Sequence, residues 1–238
     1  MELIEEAMAA FRRGDTEHAT RITDIALEVA RKGQDARREV DALCMHARIA
    51  LRLGELDRVV ELAGEARAKA AGDPRLERTP IHVQAVAARM RGDLASARDL
   101  YRASLDLSES LGEGSMAAAE HHNLAYVELH AGNHERARRL FLEARRRAER
   151  LGLHGLYPYL LADAAQLAVE DGDAAKAATL LGAADAAFGA AGEIPDPDDA
   201  AEHQRLRAQL LDVLGESAFR FSFDVGSKLT VEQAFRLL

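Results

Sequence analysis

The sequence predicts an all-α fold in which antiparallel helical hairpins stack into a right-handed superhelical solenoid with a C-terminal helical cap. Two observations lead to this prediction. Glycines recur with a period near 40 residues, and only 5% of the residues are aromatic although 48% are hydrophobic. A period of this size is the signature of stacked helical units rather than of one globular core. The scarcity of aromatic and β-branched residues favours helices over a sheet.

Two series of glycines mark the turns. Members of the first series are followed by an acidic or amide residue, and members of the second close each repeat, with spacings of 38 to 40 residues. The first series is Gly14, Gly54, Gly92, Gly132 and Gly172, and the second is Gly33, Gly72, Gly112, Gly152 and Gly192. We expect a first-series glycine to end one helix in a left-handed conformation, and the next residue to cap the following helix. The second-series glycine then ends that second helix.

A small residue precedes each turn in a constant register. Seven residues before the first-series glycines stand Ala7, Ala47, Ala85, Ala125 and Ala165. We expect the two helices of a hairpin to cross at this position, where a larger side chain would push them apart. Each hairpin alone leaves an apolar face exposed, so it must stack on its neighbours.

The central repeat, residues 117–152, resembles the tetratricopeptide (TPR) repeat. The residues that carry the resemblance are Ala125, Gly132, Asn133, Ala137, Phe141 and Ala144. The last three match the alanine–phenylalanine–alanine triplet of the family at spacings of four and three. The period is near 40 rather than the 34 of the common form, and the chain contains no tryptophan. Longer repeats are typical of bacterial regulators, and the resemblance covers roughly residues 2–192.

Five hairpins therefore follow one another over residues 1–192. They are predicted over residues 2–13 and 16–32, 36–53 and 56–71, 79–91 and 94–111, 117–152, and about 157–192. In the third hairpin, Thr79 would cap a helix whose first residue is Pro80, since proline suits the first helical position.

A C-terminal helical capping region is predicted over residues 193–238. It begins with a loop rich in proline and acid over 193–199, followed by a helix over 200–214 that Gly215 ends. A short helix or turn then spans 218–225 and ends at Gly226, and a capping box at Thr230 opens a last helix over 231–238.

This tail resembles the region that closes the TPR array of large LuxR-type transcription regulators. The resembling segments are 180–184, 214–216 with Phe219, and Gly226 with 229–234. In that family the array lies behind a nucleotide-binding switch and a DNA-binding domain, but this sequence has neither a phosphate loop nor a helix-turn-helix signature. The resemblance implies a detached sensor or partner-binding module of a bacterial regulatory system.

Charge and cysteine content exclude several classes of function. A formal charge of -9 disfavours direct binding to nucleic acid or to an anionic membrane. Cys44 is the only cysteine, which excludes an internal disulfide and fits a reducing cytoplasm. No stretch approaches 18 consecutive apolar residues, so we expect no membrane span and a cytoplasmic protein.

Neither a metal site nor a catalytic site is predicted. Adjacent His121 and His122 point about 100° apart on a helix, and Gly132 separates His130 from His134. No Cys-x-x-Cys or His-Glu-x-x-His pattern occurs. Cys44 has His46 two residues away, on the opposite side of the helix, so it is interpreted as a small half-buried residue. We expect no enzyme, no catalytic residue and no cofactor.

Seven arginines between positions 136 and 150 could suggest a nucleic-acid surface. Glutamates interleave with them, and the predicted ion pairs are Glu135 with Arg139, Glu143 with Arg147, and Arg145 with Glu149. The sequence therefore favours an ordinary solvated helix face, which includes Arg138, over a nucleic-acid site.

The predicted ligand-binding groove follows from the resemblance. In TPR arrays the first helices line a concave groove, at positions about ten, six and two to three residues before the turn glycine. Carried over to this chain, the groove residues are Arg48, Arg52, His82, Arg89, His122, Tyr126 and His130, with only Asp41 and Glu170 as acidic members. A cationic groove on an acidic protein implies an acidic peptide, protein segment or chain terminus as the partner.

Two alternatives remain open at this point. A small-molecule effector sensor would need a closed apolar pocket instead of an open groove. A structural dimerisation module would use the N-terminal hairpin, where Ile4, Met8 and Phe11 recur at helical spacing and no earlier helix covers them. Exposed apolar patches of this kind mark association, so a homodimer through residues 2–32 is predicted.

Overall fold

The computed structural model describes residues 2–70 and 72–237, and all regular structure in them is helical. The all-α prediction is confirmed. The chain divides into two compact units, residues 1–113 and 114–238. None of the described helices combines the length and the apolar composition that crossing a membrane requires.

Unit 1 consists of three helical hairpins. Its helices are α1 (Glu2–Arg12), α2 (Thr16–Lys32), α3 (Ala36–Leu53), α4 (Leu56–Ala70), α5 (Pro74–Met90) and α6 (Leu94–Ser110). Each helix packs against the next one in the chain, and α3 also packs against α1 and α5. The first helices of the three hairpins therefore lie side by side. The predicted end of the second hairpin, Ala71, lies outside the described residues.

Unit 2 contains two hairpins and the C-terminal region. Its helices are α7 (Gly114–His130), α8 (His134–Leu151), α9 (Tyr157–Glu170), α10 (Ala174–Ala191), α11 (Pro197–Gly226) and α12 (Val231–Phe235). A short 3-10 helix, His154–Leu156, precedes α9. Helix α10 packs between α9 and α11, and α12 contacts both α9 and α10. An apolar core of this unit lies among these four helices.

The turn glycines adopt the expected left-handed conformation, with φ between 65° and 88° at positions such as Gly14, Gly72 and Gly152. One turn differs. Gly33 ends α2 with a right-handed φ of -80°, and Gln34 takes the left-handed position with φ 51°. The N–H of Asp35 still donates to the carbonyl of Ala30, five residues back, as it does at the glycine turns. This turn therefore has the same geometry as the glycine turns, but its left-handed residue is one position later in the sequence.

This shift makes the spacing of turns regular. Left-handed residues fall at 14, 34, 54, 72, 92, 112, 132, 152, 172 and 192, that is, every 20 residues apart from 18 between 54 and 72. The short interval contains α4, the second or return helix of its hairpin, which has 15 residues. The return helices of the other hairpins have 17 or 18. A shortened return helix therefore explains the single spacing of 38 in the first glycine series.

The predicted start of the third hairpin at Thr79 and Pro80 is wrong. Helix α5 begins at Pro74, where Asp73 is the cap and its carboxylate accepts a hydrogen bond from the N–H of Arg75 at 2.9 Å. Pro74 occupies the first turn, where no N–H is needed. Pro80 lies inside α5, where it removes one main-chain hydrogen bond, to the carbonyl of residue 76, and the helix continues.

The C-terminal region follows the prediction except at its boundaries. Helix α11 begins at Pro197 rather than at residue 200, and Gly215 breaks it with φ 72° and ψ 162° as expected. The capping box is confirmed, because Thr230 and Gln233 exchange hydrogen bonds of 2.8 and 3.2 Å. Helix α12 ends at Phe235, and the predicted terminal residue, Leu238, lies outside the described residues.

The five register alanines are completely buried. Ala125 of α7 packs in a cluster with Tyr126 of the same helix and with Ala137 and Phe141 of α8. We expect Ala125→Leu to destabilise the protein by about 1–3 kcal/mol, because extra methylenes at a close helix crossing overpack it. Urea unfolding followed by circular dichroism measures this change.

The control for this substitution is Arg139→Leu on the exposed face of α8, which should change the stability by less than about 0.5 kcal/mol. Arg138 is unsuitable, because it is half-buried and pairs with Asp171, contrary to its prediction as a solvated residue. Equal urea midpoints for the two variants would show that Ala125 does not lie at a close crossing of α7 and α8. Two predicted ion pairs of this helix, Arg145 with Glu149 and Glu143 with Arg147, are confirmed at 2.8 and 2.9 Å.

The apolar patch predicted on α1 is only partly exposed. Phe11 is buried against Met45 and Ile49 of α3, and Ile4 and Met8 are partly buried in the same cluster. The prediction of Phe11 as a surface residue is therefore wrong, because the second hairpin covers it. The exposed large apolar residues of the first hairpin are Ile25 and Val29 on α2, at 48% and 47%. Dimerisation through this hairpin stays a prediction.

Candidate functional site

The seven predicted groove residues fall into both units. Unit 1 contains Arg48 and Arg52 on α3, and His82 and Arg89 on α5. Unit 2 contains His122, Tyr126 and His130, all on α7. Each set lies on the first helix of a hairpin, which is where the resemblance placed them.

In unit 1 the two arginines of α3 differ in their surroundings. They lie four residues apart on one helix face, and both are half-buried. The guanidinium of Arg52 lies 4.0 Å from the ring centroid of Phe11, which places it in a cation–π contact with α1. Arg48 lies close enough to Cys44 to influence its thiol. Arg52 is therefore part of the packing between α1 and α3, whereas Arg48 makes no ion pair among the described residues.

The two predicted residues of α5 are buried rather than lining an open groove. His82 directs its ring toward the edge of Tyr101, with 6.1 Å between the centroids. Arg89 is buried as deeply as His82. Their side chains are thus less accessible to a ligand than that of Arg48.

Cys44 is the only nucleophilic thiol in the chain. It is buried in α3, and burial raises the pKa of its thiol to about 12. A thiol with so high a pKa stays protonated at neutral pH and is a poor nucleophile. Cys44 is thus buried, whereas the sequence analysis interpreted it as half-buried.

In unit 2 the three predicted residues form a continuous row. His122, Tyr126 and His130 are spaced by four residues, so their side chains project from one face of α7. The ring centroids of His122 and Tyr126 lie 5.3 Å apart, and those of Tyr126 and His130 lie 6.5 Å apart. The tyrosine hydroxyl donates a hydrogen bond to Asp163 of α9.

His122 is held between two carboxylates from different helices. Its Nδ1 lies 2.9 Å from Oδ1 of Asp163 on α9, and its Nε2 lies 3.0 Å from Oδ1 of Asp199 on α11. All three side chains are buried. The aromatic rings of Tyr159 and Phe141 also contact the imidazole, with centroids 5.9 and 6.5 Å away. The ring therefore ties α7, α9 and α11 together.

The electrostatics of this triad favour a charged histidine. Burial disfavours the imidazolium, but the opposite charges of Asp163 and Asp199 and their hydrogen bonds outweigh it and raise the pKa of His122 well above its ordinary value. Burial also raises the pKa of Asp163, against the lowering effect of His122. We infer that His122 is doubly protonated at neutral pH and donates to both carboxylates.

The second histidine of the row binds a carboxylate closer to solvent. Nε2 of His130 lies 2.9 Å from Oε1 of Glu202, and the His130 side chain is 31% exposed, compared with 10% for His122. Arg205, one turn further along α11, contacts the other oxygen of Glu202 at 2.7 Å. The row on α7 therefore meets the start of α11 at two points.

The acidic partners of the row were missed by the sequence analysis, which counted only Asp41 and Glu170 as acidic groove residues. Asp163 lies in a run of apolar residues on α9, and Asp199 and Glu202 lie in α11. The one signal in the sequence was the acidic character of residues 193–199, which was interpreted as a loop. Its contact with α7 depends on the fold, because Asp199 is 77 residues from His122.

Both histidines of the row contact carboxylates. In the doubly protonated state inferred above, both ring nitrogens of His122 donate to carboxylates, so this ring has no lone pair left for proton abstraction or metal binding. Within residues 2–70 and 72–237, no group of three or more His, Cys, Asp or Glu side chains is placed to hold a metal ion.

Comparison with known proteins does not add an assignment. No protein-family model matches the chain, and no curated protein matches it. The geometry of the two helix faces is therefore what bears on function.

Proposed function

We propose that the protein is a non-catalytic, TPR-like binding module that takes acidic peptide segments on the first helices of its hairpins. The recurrence of left-handed turns every 18 to 20 residues and the side-by-side packing of α1, α3 and α5 support TPR-like repeats in a right-handed superhelical arrangement. A role in a cytoplasmic regulatory system of a bacterium belongs to the same proposal and rests on the resemblance.

One observation carries the proposal. The row of His122, Tyr126 and His130, predicted to bind an acidic segment, contacts the acidic residues Asp199 and Glu202 of α11. Charged hydrogen bonds of this kind are shorter and stronger than neutral ones. First-helix positions of this chain are therefore able to hold carboxylates of a helical segment.

In unit 1 the proposed contact residue is Arg48. It is half-buried on the face of α3 that also holds Arg52. Arg52 is a poorer choice for a test, because its replacement would also remove the contact with Phe11. His82 and Arg89 are proposed to shape the same face from α5.

The test is fluorescence anisotropy with a labelled acidic peptide, for which we choose residues 193–206 of this chain. Arg48→Glu should weaken the binding about tenfold or more, which corresponds to about 1.4 kcal/mol. The affinity should also fall as the salt concentration rises, since exposed charges are screened over about 8–10 Å at ordinary ionic strength. Circular dichroism checks that the variant keeps its helix content.

The matched control is Arg139→Glu, which changes the net charge equally on the exposed face of α8. It should leave the affinity within about twofold, because screening limits the range of an exposed charge. An equal loss of peptide affinity in both variants would indicate a general charge effect. No loss of affinity in either variant would reject the site proposed on α3.

Two alternatives are less well supported by the described contacts. A cavity of about 620 Å³ near Arg207 and Phe219 is lined by charged as well as aromatic side chains, unlike the closed apolar pocket that an effector sensor would need. A dimerisation module would rely on Ile25 and Val29 rather than on Phe11. Static light scattering at tens of micromolar protein decides this second alternative.

A further inference from the structure

The first two turns of α11 are attached differently from the rest of the helix. Their buried side chains are Asp198, Asp199 and Glu202, and all three are acidic. Apolar burial begins only with Leu206 and Leu210, which pack in the core with α9 and α10. The ring of His203 also lies 5.9 Å from that of Phe188 on α10. The start of α11 is therefore held mainly by polar contacts, whereas its continuation is held by apolar packing.

The helix start is also weakly capped by its own residues. Asp196 is the cap, but its side chain makes no capping hydrogen bond, and residues 193–195 before it have no regular structure. The first N–H groups of a helix need partners, so an unmade cap lowers the cost of opening the first turns. Opening as far as residue 203 would leave the buried Leu206 and Leu210 in place.

The receiving surface on α7 is ordered by other contacts than those with α11. Tyr126 and His122 both bond to Asp163 of α9, and the ring of Tyr126 lies 5.0 Å from Phe141 of α8. If the start of α11 moved away, the bond to Asp163 would still orient the ring of His122. His130, which is more exposed, would offer its ring at the edge of the row.

We propose that His122, Tyr126 and His130 form a peptide-binding site in unit 2, that the start of α11 occupies this site in the free protein, and that a partner segment with two carboxylates three residues apart replaces it. The spacing is that of Asp199 and Glu202, which bond to His122 and His130. This inference rests on the proposed function but concerns a separate site from that on α3. The resident segment competes with any partner, because its tether gives it a high effective concentration.

The experiment weakens the resident segment and supplies its sequence as a separate peptide. In an Arg48→Glu background, which removes the proposed site of unit 1, Asp199→Asn and Glu202→Gln are combined. Amide hydrogen exchange of residues 197–203 should accelerate about tenfold or more, because opening becomes easier. The affinity for the labelled peptide of residues 193–206 should rise about tenfold or more, because the tethered competitor is weakened. Adding His130→Ala should remove this gain.

The matched control is Glu216→Gln with Asp224→Asn, which changes the charge of α11 equally in its second half. It should leave both the exchange at residues 197–203 and the affinity unchanged. If the main variant loses helix content, Glu202→Gln alone serves the same test, since its partner His130 is partly exposed.

Two results would overturn the proposal. Unchanged exchange at residues 197–203 would show that the start of α11 is a fixed part of the core. Faster exchange without peptide binding would show that the contacts only stabilise the fold. The two proposed sites can also be distinguished. If His130→Ala removes the gain in peptide affinity while Arg48→Glu leaves the affinity of the parent protein unchanged, the site on α7 is retained and the site on α3 is rejected.

Discussion

Replacing His122 with alanine is expected to lower the free energy of unfolding by about 3–5 kcal/mol, because the substitution leaves two buried carboxylates without their common counter-charge. Asp163 and Asp199 would face each other across the cavity left by the ring, with their oxygens unpaired. The measurement is urea unfolding followed by circular dichroism, with thermal unfolding as a second readout.

The control for His122 is another histidine that pairs with a carboxylate at the surface. His134 on α8 lies 2.6 Å from Glu170, and its side chain is 57% exposed. Because surface ion pairs contribute little, His134→Ala should change the stability by less than about 0.5 kcal/mol. Similar losses for the two variants would contradict the buried triad as a source of stability.

The triad also predicts how the stability depends on pH. The pKa of His122 is raised in the folded protein, so the folded state binds this proton more tightly than the unfolded chain does. The stabilisation is complete below the ordinary pKa of histidine and is lost as the pH rises through the raised pKa. The free energy of unfolding should therefore fall on the alkaline side in the wild type more than in His122→Ala. Parallel pH profiles would exclude this linkage.

The second large effect is expected for Gly182→Ala and Gly226→Ala. These glycines lie where α10 crosses the second half of α11, and a Cβ at Gly182 or Gly226 would collide with the carbonyl of Phe223 or Thr179, respectively. Because these neighbours are backbone atoms, relief requires the helices to separate. We expect a loss of about 3 kcal/mol for each variant, at the upper end of the cost of overpacking.

Gly189→Ala is the matched control on the same helix. No atom lies within 4 Å of the Cβ that it would add, and its backbone is helical. Alanine is preferred to glycine inside a helix, so this variant should gain about 0.5–1 kcal/mol. Gly182→Ala should thus lower the free energy of unfolding and Gly189→Ala should raise it. Urea midpoints that move in the same direction would refute the close approach of α10 and α11.

These two features are related through α11. Its second half is fixed to α10 by the glycine contact, its middle is fixed by Leu206 and Leu210, and side chains up to Arg205 contact α7. The Gly226→Ala substitution should therefore lower the free energy of unfolding without altering the contacts of the row on α7. A change at His122 acts on that row directly.

The sequence by itself determined most of the helices of this protein and their turns. The signals for these elements are local, since a left-handed glycine and a capping side chain act within one turn of the chain. Local signals failed where two of them competed. Pro74 and Pro80 could each start a helix, and the structure chose Pro74 because Asp73 caps it there. Gly33 and Gln34 could each take the left-handed position, and Gln34 took it.

The positions of the row on α7 were predicted through the TPR resemblance, which places residues ten, six and two before the turn glycine on one groove face. What these residues bind was decided only by the tertiary structure. His122 meets Asp163 and Asp199, which are 41 and 77 positions away in the chain. No periodic pattern predicts such a pairing, because it depends on how α9 and α11 pack around α7. In the folded protein His122 and His130 contact Asp199 and Glu202 of α11, and burying the imidazolium of His122 requires opposite charges beside it.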